Sequence, residues 1–324
     1  MKVLHIAPIN SEGELPTFLK HQIESLNNNG VKSEIIGFSG KKIRITSPMT
    51  SLTSVIHLVK SVHRADADLI HAHWGSLLGF VASIARNSRV PFLLTLRGSD
   101  VNRVVTEHVL LFKIRAALTQ FATKRADFVV YVSDNLRRRE HSTTMKSKVI
   151  PDGTPLKIFW PRPKAEARSL LGWDQGSRHV VFHCGNRPHE KNLQLANEVI
   201  KLLQLRIDGL KFVVIQSDLN QEELATTYSA ADLLLFTSHA EGSPNTVREA
   251  IACGCPVVSV NVGDVQHWIK ESGTGAVCGY DSAQMSQLAF ESLMSNARAN
   301  SGIAENYSVE STAAELLNIY RLLR

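Results

Sequence analysis

The chain has 324 residues, 44% hydrophobic and 20% charged, which suffices for two ordinary cores and is too balanced for a disordered polymer. Its net charge of +6 hides an asymmetry: residues 1–150 carry 21 Lys/Arg against 11 Asp/Glu, and the remainder 15 against 19. Four cysteines in so long a chain exclude a disulfide-stapled scaffold, and the pair Cys253/Cys255 has the wrong spacing for a zinc knuckle.

Short β-branched or leucine-rich runs at 3–7, 34–38, 69–73, 92–96, 128–132 and 148–150 alternate with helix-like segments, the pattern of a parallel sheet. After Pro151-Asp152-Gly153, whose turn chemistry and following prolines mark a domain boundary, the rhythm restarts with runs at 180–184, 212–216, 233–237 and 256–260. A terminal helix follows Ser308, with Val309, Ala313, Leu316, Leu317, Tyr320 and Leu323 on one face. Residues 1–8 lack the continuous apolar stretch and cleavage site of a signal peptide, and no apolar run nears about 18 residues. A cytoplasmic protein with reduced thiols is therefore expected.

The chemistry concentrates after the run at 233–237. A loop leads into a helix through Gly242-Ser243-Pro244-Asn245-Thr246, with Pro244 expected in its first turn. Such a helix start presents unpaired N–H groups and a positive dipole end to an anion, and a diphosphate suits it. Glu241 precedes the helix and Glu249 lies inside it, so two carboxylates can reach vicinal hydroxyls on opposite sides of that diphosphate, as a sugar nucleotide presents them. A capped helix with two solvated glutamates has the same spacing. Arg187 and Lys191 follow the run at 180–184 and flank Pro188, at the strand end where open sheets bind ligands, although a solvated surface pair would read alike.

Glu241-x7-Glu249 followed by Ala250-Ile-Ala-Cys-Gly-Cys-Pro-Val-Val-Ser259 resembles the signature of retaining glycosyltransferase family 4, the "glycosyl transferases group 1" of bacterial polysaccharide type. Segments 185–191, 150–153, 126–133, 95–100 and 69–73 resemble the family's phosphate-clamp loop, domain junction and first-domain strand ends, and 10–16, with Gly13, stands in the place of its glycine-bearing loop. The resemblance implies an α/β GT-B fold: two Rossmann-like parallel-sheet domains facing across a cleft, at 1–152 (acceptor) and 153–306 (nucleotide sugar), with a helix at 307–324 crossing back to the first.

It further implies that Glu241 contacts donor-sugar hydroxyls, Glu249 the ribose, and Arg187 with Lys191 the departing diphosphate, while Gly242, Ser243, Pro244, Asn245, Thr246, Gly13, Arg97 and His73 complete the ligand-binding set. The donor is then a nucleoside-diphosphate sugar, with no tightly bound cofactor and no metal. Arg97 stands where many members carry a histidine, and arginine favours phosphate or carboxylate, or serves as a structural anchor. The segment between 212–216 and Glu222 is shorter than in most members.

His71 and His73, two apart at a strand end, can point to one side as metal ligands do. No further ligand is visible nearby, so no metal is assigned, and His73 is expected either near the acceptor or in the core. The basic first half suits a saccharide or lipid-linked acceptor and peripheral contact with an anionic membrane at its inner face; without aromatic-interleaved basic strands, nucleic acid is set aside. The stretch 108–124 reads either as a membrane-lying helix or as a core-facing helix with a solvated basic side. Epimerases and phosphorylases of the same fold, and a non-catalytic nucleotide-sugar-binding scaffold, are the alternatives.

Overall fold

The computed structural model describes residues 1–38, 48–103, 107–140, 146–216 and 219–324, with the side chains of its second helix described from residue 55 onward. Two compact units emerge: Met1–Arg103, Glu107–Gly153 and Val309–Arg324 form one, and Thr154–Ser308 belongs to the other.

In the first unit β1 (Lys2–Pro8), α1 (Thr17–Asn28), β2 (Lys32–Phe38), α2 (Pro48–Arg64), β3 (Leu69–His73), α3 (Ser76–Ala85), β4 (Phe92–Leu96), α4 (Val109–Arg125), β5 (Phe128–Tyr131), α5 (Asp134–Arg139) and β6 (Ser147–Val149) follow one another. The strands pair in parallel in the order β2-β1-β3-β4-β5-β6. β3 and β4 are buried at every position, as a sheet covered on both faces requires. The register sets His5 opposite His71 and His73 opposite Thr95, which brings three imidazoles together.

The second unit contains α6 (Lys164–Leu171), β7 (His179–His183), α7 (Leu193–Gln204), β8 (Lys211–Ile215), α8 (Gln221–Ala230), β9 (Leu233–Phe236), α9 (Asn245–Ala252), β10 (Val257–Val260), α10 (Val265–Ser272), β11 (Ala276–Cys278), α11 (Ser282–Ser295) and a 3₁₀ helix, Ser301–Tyr307. Its parallel sheet has the order β11-β10-β9-β7-β8. The ten strands expected from sequence form within two residues of their expected ends. β11 was not anticipated: three residues are too short to register as a run, and the strand owes its existence to pairing with β10. β8 is joined to α8 by a short connection in which residues 217–218 lie outside the described set.

The last helix, α12 (Val309–Leu323), packs on the first sheet. Ala313, Leu316, Leu317 and Tyr320 are buried against Val3, Leu69, Leu93, Phe128 and Val130, and each large apolar side chain so covered stabilises by about 1.5–3 kcal/mol. The outgoing and returning segments run side by side, with Thr154 N–H donating to Tyr307 O at 2.8 Å. A Cβ at Gly153 would lie 2.5 Å from Val309 Cα, so this close approach requires glycine.

Candidate functional site

Both sheets reverse strand order at one point, β1/β3 in the first and β7/β9 in the second. Connections diverge there to opposite faces and leave a crevice at the strands' carboxyl ends, where open α/β sheets bind ligands. The loops after β7 and β9 carry Arg187, Lys191 and Glu241.

These two loops are stitched together. Thr237 Oγ1 donates to Lys191 O at 2.8 Å and to Asn192 O at 2.9 Å, and His239 N–H donates to Glu190 O at 3.0 Å. The carbonyl of Lys191 is thereby held beside β9, and its Nζ reaches Glu241 Oε1 at 2.5 Å. Ser238 Oγ donates to the same carboxylate oxygen at 2.8 Å, and Tyr280 braces the loop from its hydroxyl to Ser238 O and His239 O at 2.9 and 3.1 Å. Arg187 is placed differently: its side chain is 67% exposed and pairs with Glu190 at 3.3 Å, one turn along. The structure thus joins Lys191 to Glu241 and leaves Arg187 at the rim.

Pro244 does not enter the helix as expected; it occupies the N-cap of α9, because its extended ψ of 115° places it before the first helical residue. Proline has no side-chain oxygen to offer, and α9 has no side-chain cap. Val247 N–H turns back to Pro244 O at 3.2 Å, so the N–H groups of Asn245 and Thr246 are the ones that this helix start can offer to an anion or water. Two of the side chains placed in the ligand-binding set already have partners, Ser243 through its hydroxyl and Asn245 through its Oδ1. Ser243 Oγ donates to Asp264 Oδ2 at 2.6 Å, and the buried Arg248 donates to both Ser243 Oγ and Asn245 Oδ1. Gly242 is buried and Thr246 half-buried in the same loop and helix start. Arg248 also lies over the Trp268 ring at 5.5 Å. Arg248 and Asp264 escaped sequence reading because neither stands in a recognisable motif position.

Glu249 is half-buried on α9, and burial pushes its carboxyl up to about 7. Nearby, Tyr228 OH meets His183 Nδ1 at 3.0 Å. Burial, with Lys191 close by, brings His183 down to about 4, so that imidazole is neutral.

In the first unit, Gly13 adopts φ +86 in an exposed loop after β1, a turn in which Asn10 Oδ1 accepts from Glu12 N–H and Glu14 N–H at 3.0 and 2.8 Å. His73 and Arg97 lie in the interior: His73 is fully buried and Arg97 is 8% exposed. The guanidinium pairs with Asp152, donates to Gln22 Oε1 at 2.9 Å and to His73 Nδ1 at 3.1 Å, and lies over the rings of Phe18 and Trp74 at 4.9 and 5.2 Å. Of the two uses open to it, anchoring is the one these bonds support. Asp100 secures the neighbouring loops by accepting N–H bonds from Gly75, Arg97 and Gly98, beside Trp74 and Ser76 at the unusual φ of 83 and 47.

His5, His71 and His73 bring ligand nitrogens within 4.8 Å of one another. Arg97 can only donate, so His73 accepts at Nδ1, carries its proton on Nε2 and donates to His5 Nδ1 at 3.0 Å. His5 Nε2–H then faces Ser33 Oγ at 3.2 Å. His71 uses both nitrogens, toward Tyr320 OH and Thr95 Oγ1, each at 2.7 Å. A cation here would have to break these bonds beside a guanidinium. Burial keeps all three imidazoles neutral, bringing His5 down to about 3.

The comparisons agree with this architecture. Residues 213–308 match the family described as glycosyl transferases group 1, and residues 37–144 match the glycosyl transferase 4-like domain. A glycosyltransferase assigned to teichuronic acid biosynthesis in Bacillus subtilis is 33% identical over 218 residues, 61% of this chain and 54% of the relative. The chain thus spans about half the length of that protein. N-acetyl-alpha-D-glucosaminyl L-malate synthase of Bacillus anthracis is 23% identical over 308 residues, 84% of this chain and 79% of the relative. Anabaena HepE, solved in complex with UDP-glucose, superposes with a TM-score of 0.70 at 17% identity, covering 98% of this chain and 100% of that one. Each compact unit thus contains a segment that matches one of these two models, the 4-like domain in the first and the group 1 domain in the second, and both have the Rossmann-like parallel-sheet form of the GT-B fold.

Proposed function

We propose that the protein is a retaining glycosyltransferase that moves a hexose or N-acetylhexosamine from a UDP-sugar to an acceptor hydroxyl in the synthesis of a cell-surface polysaccharide or glycolipid. The observation that carries this is the Lys191–Glu241 pair at the β7/β9 switch point, next to the uncapped start of α9. A cation, a carboxylate and a helix N-terminus suit a diphosphate with a hydroxylated sugar on one side. The UDP-glucose bound by the HepE neighbour supports the donor class, and the B. subtilis relative's teichuronic acid assignment supports the pathway.

On this reading the Lys191 ammonium turns from Glu241 to the diphosphate as the glycosidic bond breaks, and the α9 N–H groups share the growing charge. Arg187, held only by an exposed pair, can join at little cost. Glu241 accepts from donor-sugar hydroxyls, Glu249 accepts from the ribose, and the leaving phosphate takes the acceptor's proton from the same face. No protein nucleophile is needed.

The acceptor is proposed to be a saccharide or lipid-linked saccharide, and α4 favours peripheral contact with an anionic membrane. Its buried residues are the small Thr119, Ala122 and Thr123, while Leu110, Ile114 and Phe121 stand outward at 59, 49 and 42% exposure. Residues 108–125 contain no acidic side chain, and Lys113 and Lys124 are exposed. That Leu110, Ile114 and Phe121 stand on the solvent side supports membrane contact over the core-facing alternative. No described helix is long and apolar enough to cross a membrane.

The test is a thermal-shift panel of UDP-, GDP- and ADP-sugars on the wild type and Lys191→Ala, followed by NMR of the product anomer. A UDP-sugar should raise the wild-type midpoint and lose most of that effect in the variant. No shift from any nucleotide sugar at millimolar concentration would sink the proposal. UDP release without acceptor would favour the epimerase alternative, and dependence on phosphate the phosphorylase.

A further inference from the structure

The second unit carries a cationic groove at the opposite end of its sheet. Pro161, Arg162, Lys164, Gly254, Asn296, Arg298 and Ser301 are among the residues around a space of about 450 Å³, a volume in the range of small-molecule sites. It lies at the amino ends of β7 and β9, where Asp232 immediately precedes β9 and accepts from His179 N–H at 2.6 Å. Glu241 lies beyond the carboxyl end of β9, so at least the length of that four-residue strand, roughly 13 Å, separates the two places.

The groove is short of negative charge. Asp232 alone serves Lys164, Arg168 and Arg178, and Glu222 serves Arg162. Arg298 is matched by backbone oxygens, donating to Ala231 O at 2.7 Å and to Ser229 O and Cys253 O at 3.1 Å each. Five cations therefore share two carboxylates among the described residues. Arg162, whose side chain is 12% exposed, also has a buried Nη1 with no hydrogen-bond partner. Arg162 thus has donor capacity beyond Glu222, and a cleft lined by one sign of charge favours an anion.

We propose that this groove binds a phosphorylated small molecule through its phosphate, with Arg162 and Lys164 as the principal contacts and Arg298 supplying the field behind them. Arginine's planar fork matches phosphate oxygens, and Ser301 Oγ and the Asn296 amide add neutral hydrogen-bonding groups at the rim. The site is separate from the proposed donor loops, so it does not depend on that reading.

Isothermal titration of inorganic phosphate and of glucose 1-phosphate, with chloride at matched ionic strength as control, tests it on four proteins: wild type, Lys191→Ala, Lys164→Gln and Arg162→Gln/Lys164→Gln. Lys164→Gln leaves Asp232 paired to Arg168 and Arg178, and Arg162→Gln leaves only the exposed Glu222, so the fold should survive; unchanged circular dichroism checks this. Binding should persist in Lys191→Ala and weaken about tenfold in the double variant. Equal affinity for the two ligands identifies free phosphate as sufficient, and tighter glucose 1-phosphate identifies a sugar phosphate. Undiminished binding in the double variant, or no heat beyond the chloride control at tens of millimolar, overturns the proposal.

Discussion

Lys191 Nζ lies 2.5 Å from Glu241 Oε1, with both side chains less than one-fifth exposed. The pair joins the loop after β7 to the loop after β9, and each member holds the other where a ligand would meet both. Lys191→Met and Glu241→Gln should show a coupling free energy of about 1–2 kcal/mol in a double-mutant cycle of unfolding. With a turned-over donor, Lys191→Met should lower kcat by about 100-fold or more and raise the donor KM as well, in keeping with the lost thermal shift. Additive stabilities and an unchanged kcat would remove the pair from both structure and catalysis.

Glu249 provides a pH signature. Its folded pKa of about 7 exceeds the ordinary glutamate value, so the folded state binds this proton more tightly than the unfolded state. That contribution is fully present below the unfolded pKa near 4.5 and is lost as pH rises through about 7. Glu249→Gln cannot titrate, so its stability relative to wild type should climb between pH 5 and pH 8. Melting curves across that range check the point, and a flat difference would mean the carboxyl is not raised.

Arg97 and Asp152 form a buried pair that ties the loop after β4 to the segment leaving the first unit. Removing either partner strands the other charge, so Asp152→Asn or Arg97→Met should cost about 3–5 kcal/mol in denaturant unfolding. The double substitution should cost less than the sum. An Asp152→Asn variant within 0.5 kcal/mol of wild type, on the order of an ordinary surface change, would show that the pair is unimportant.

The outward ridge of α4 separates membrane contact from stability. Leu110→Glu and Ile114→Glu act at positions 59 and 49% exposed, so unfolding should move by no more than about 0.5 kcal/mol. Sedimentation with phosphatidylglycerol vesicles should fall severalfold, while binding to neutral phosphatidylcholine vesicles should be weak throughout. Wild-type protein that ignores anionic vesicles would rule the contact out.

Much of this protein is legible from local sequence. Runs such as 69–73 and 92–96 become fully buried parallel strands because nothing but a doubly covered sheet accommodates continuous apolar residues. The stripe from Val309 to Tyr320 predicts a helix needing a surface to cover, and the spacing of Glu241 and Glu249 places one before and one within the helix after β9, as found. Partnership is different in kind. That Lys191 meets Glu241 fifty residues away, that Arg97 is consumed by Asp152, and that the histidines of β1 and β3 share protons all follow from strand order and register. β11 and the outward face of α4 belong to the same class: one exists only through its neighbour, and the other is apolar on the side that tertiary packing leaves open. Composition and periodicity specify which residues must leave water. Only the assembled fold decides which polar groups travel with them, because hydrogen bonds and ion pairs depend on distances of a few ångströms between residues far apart in the chain.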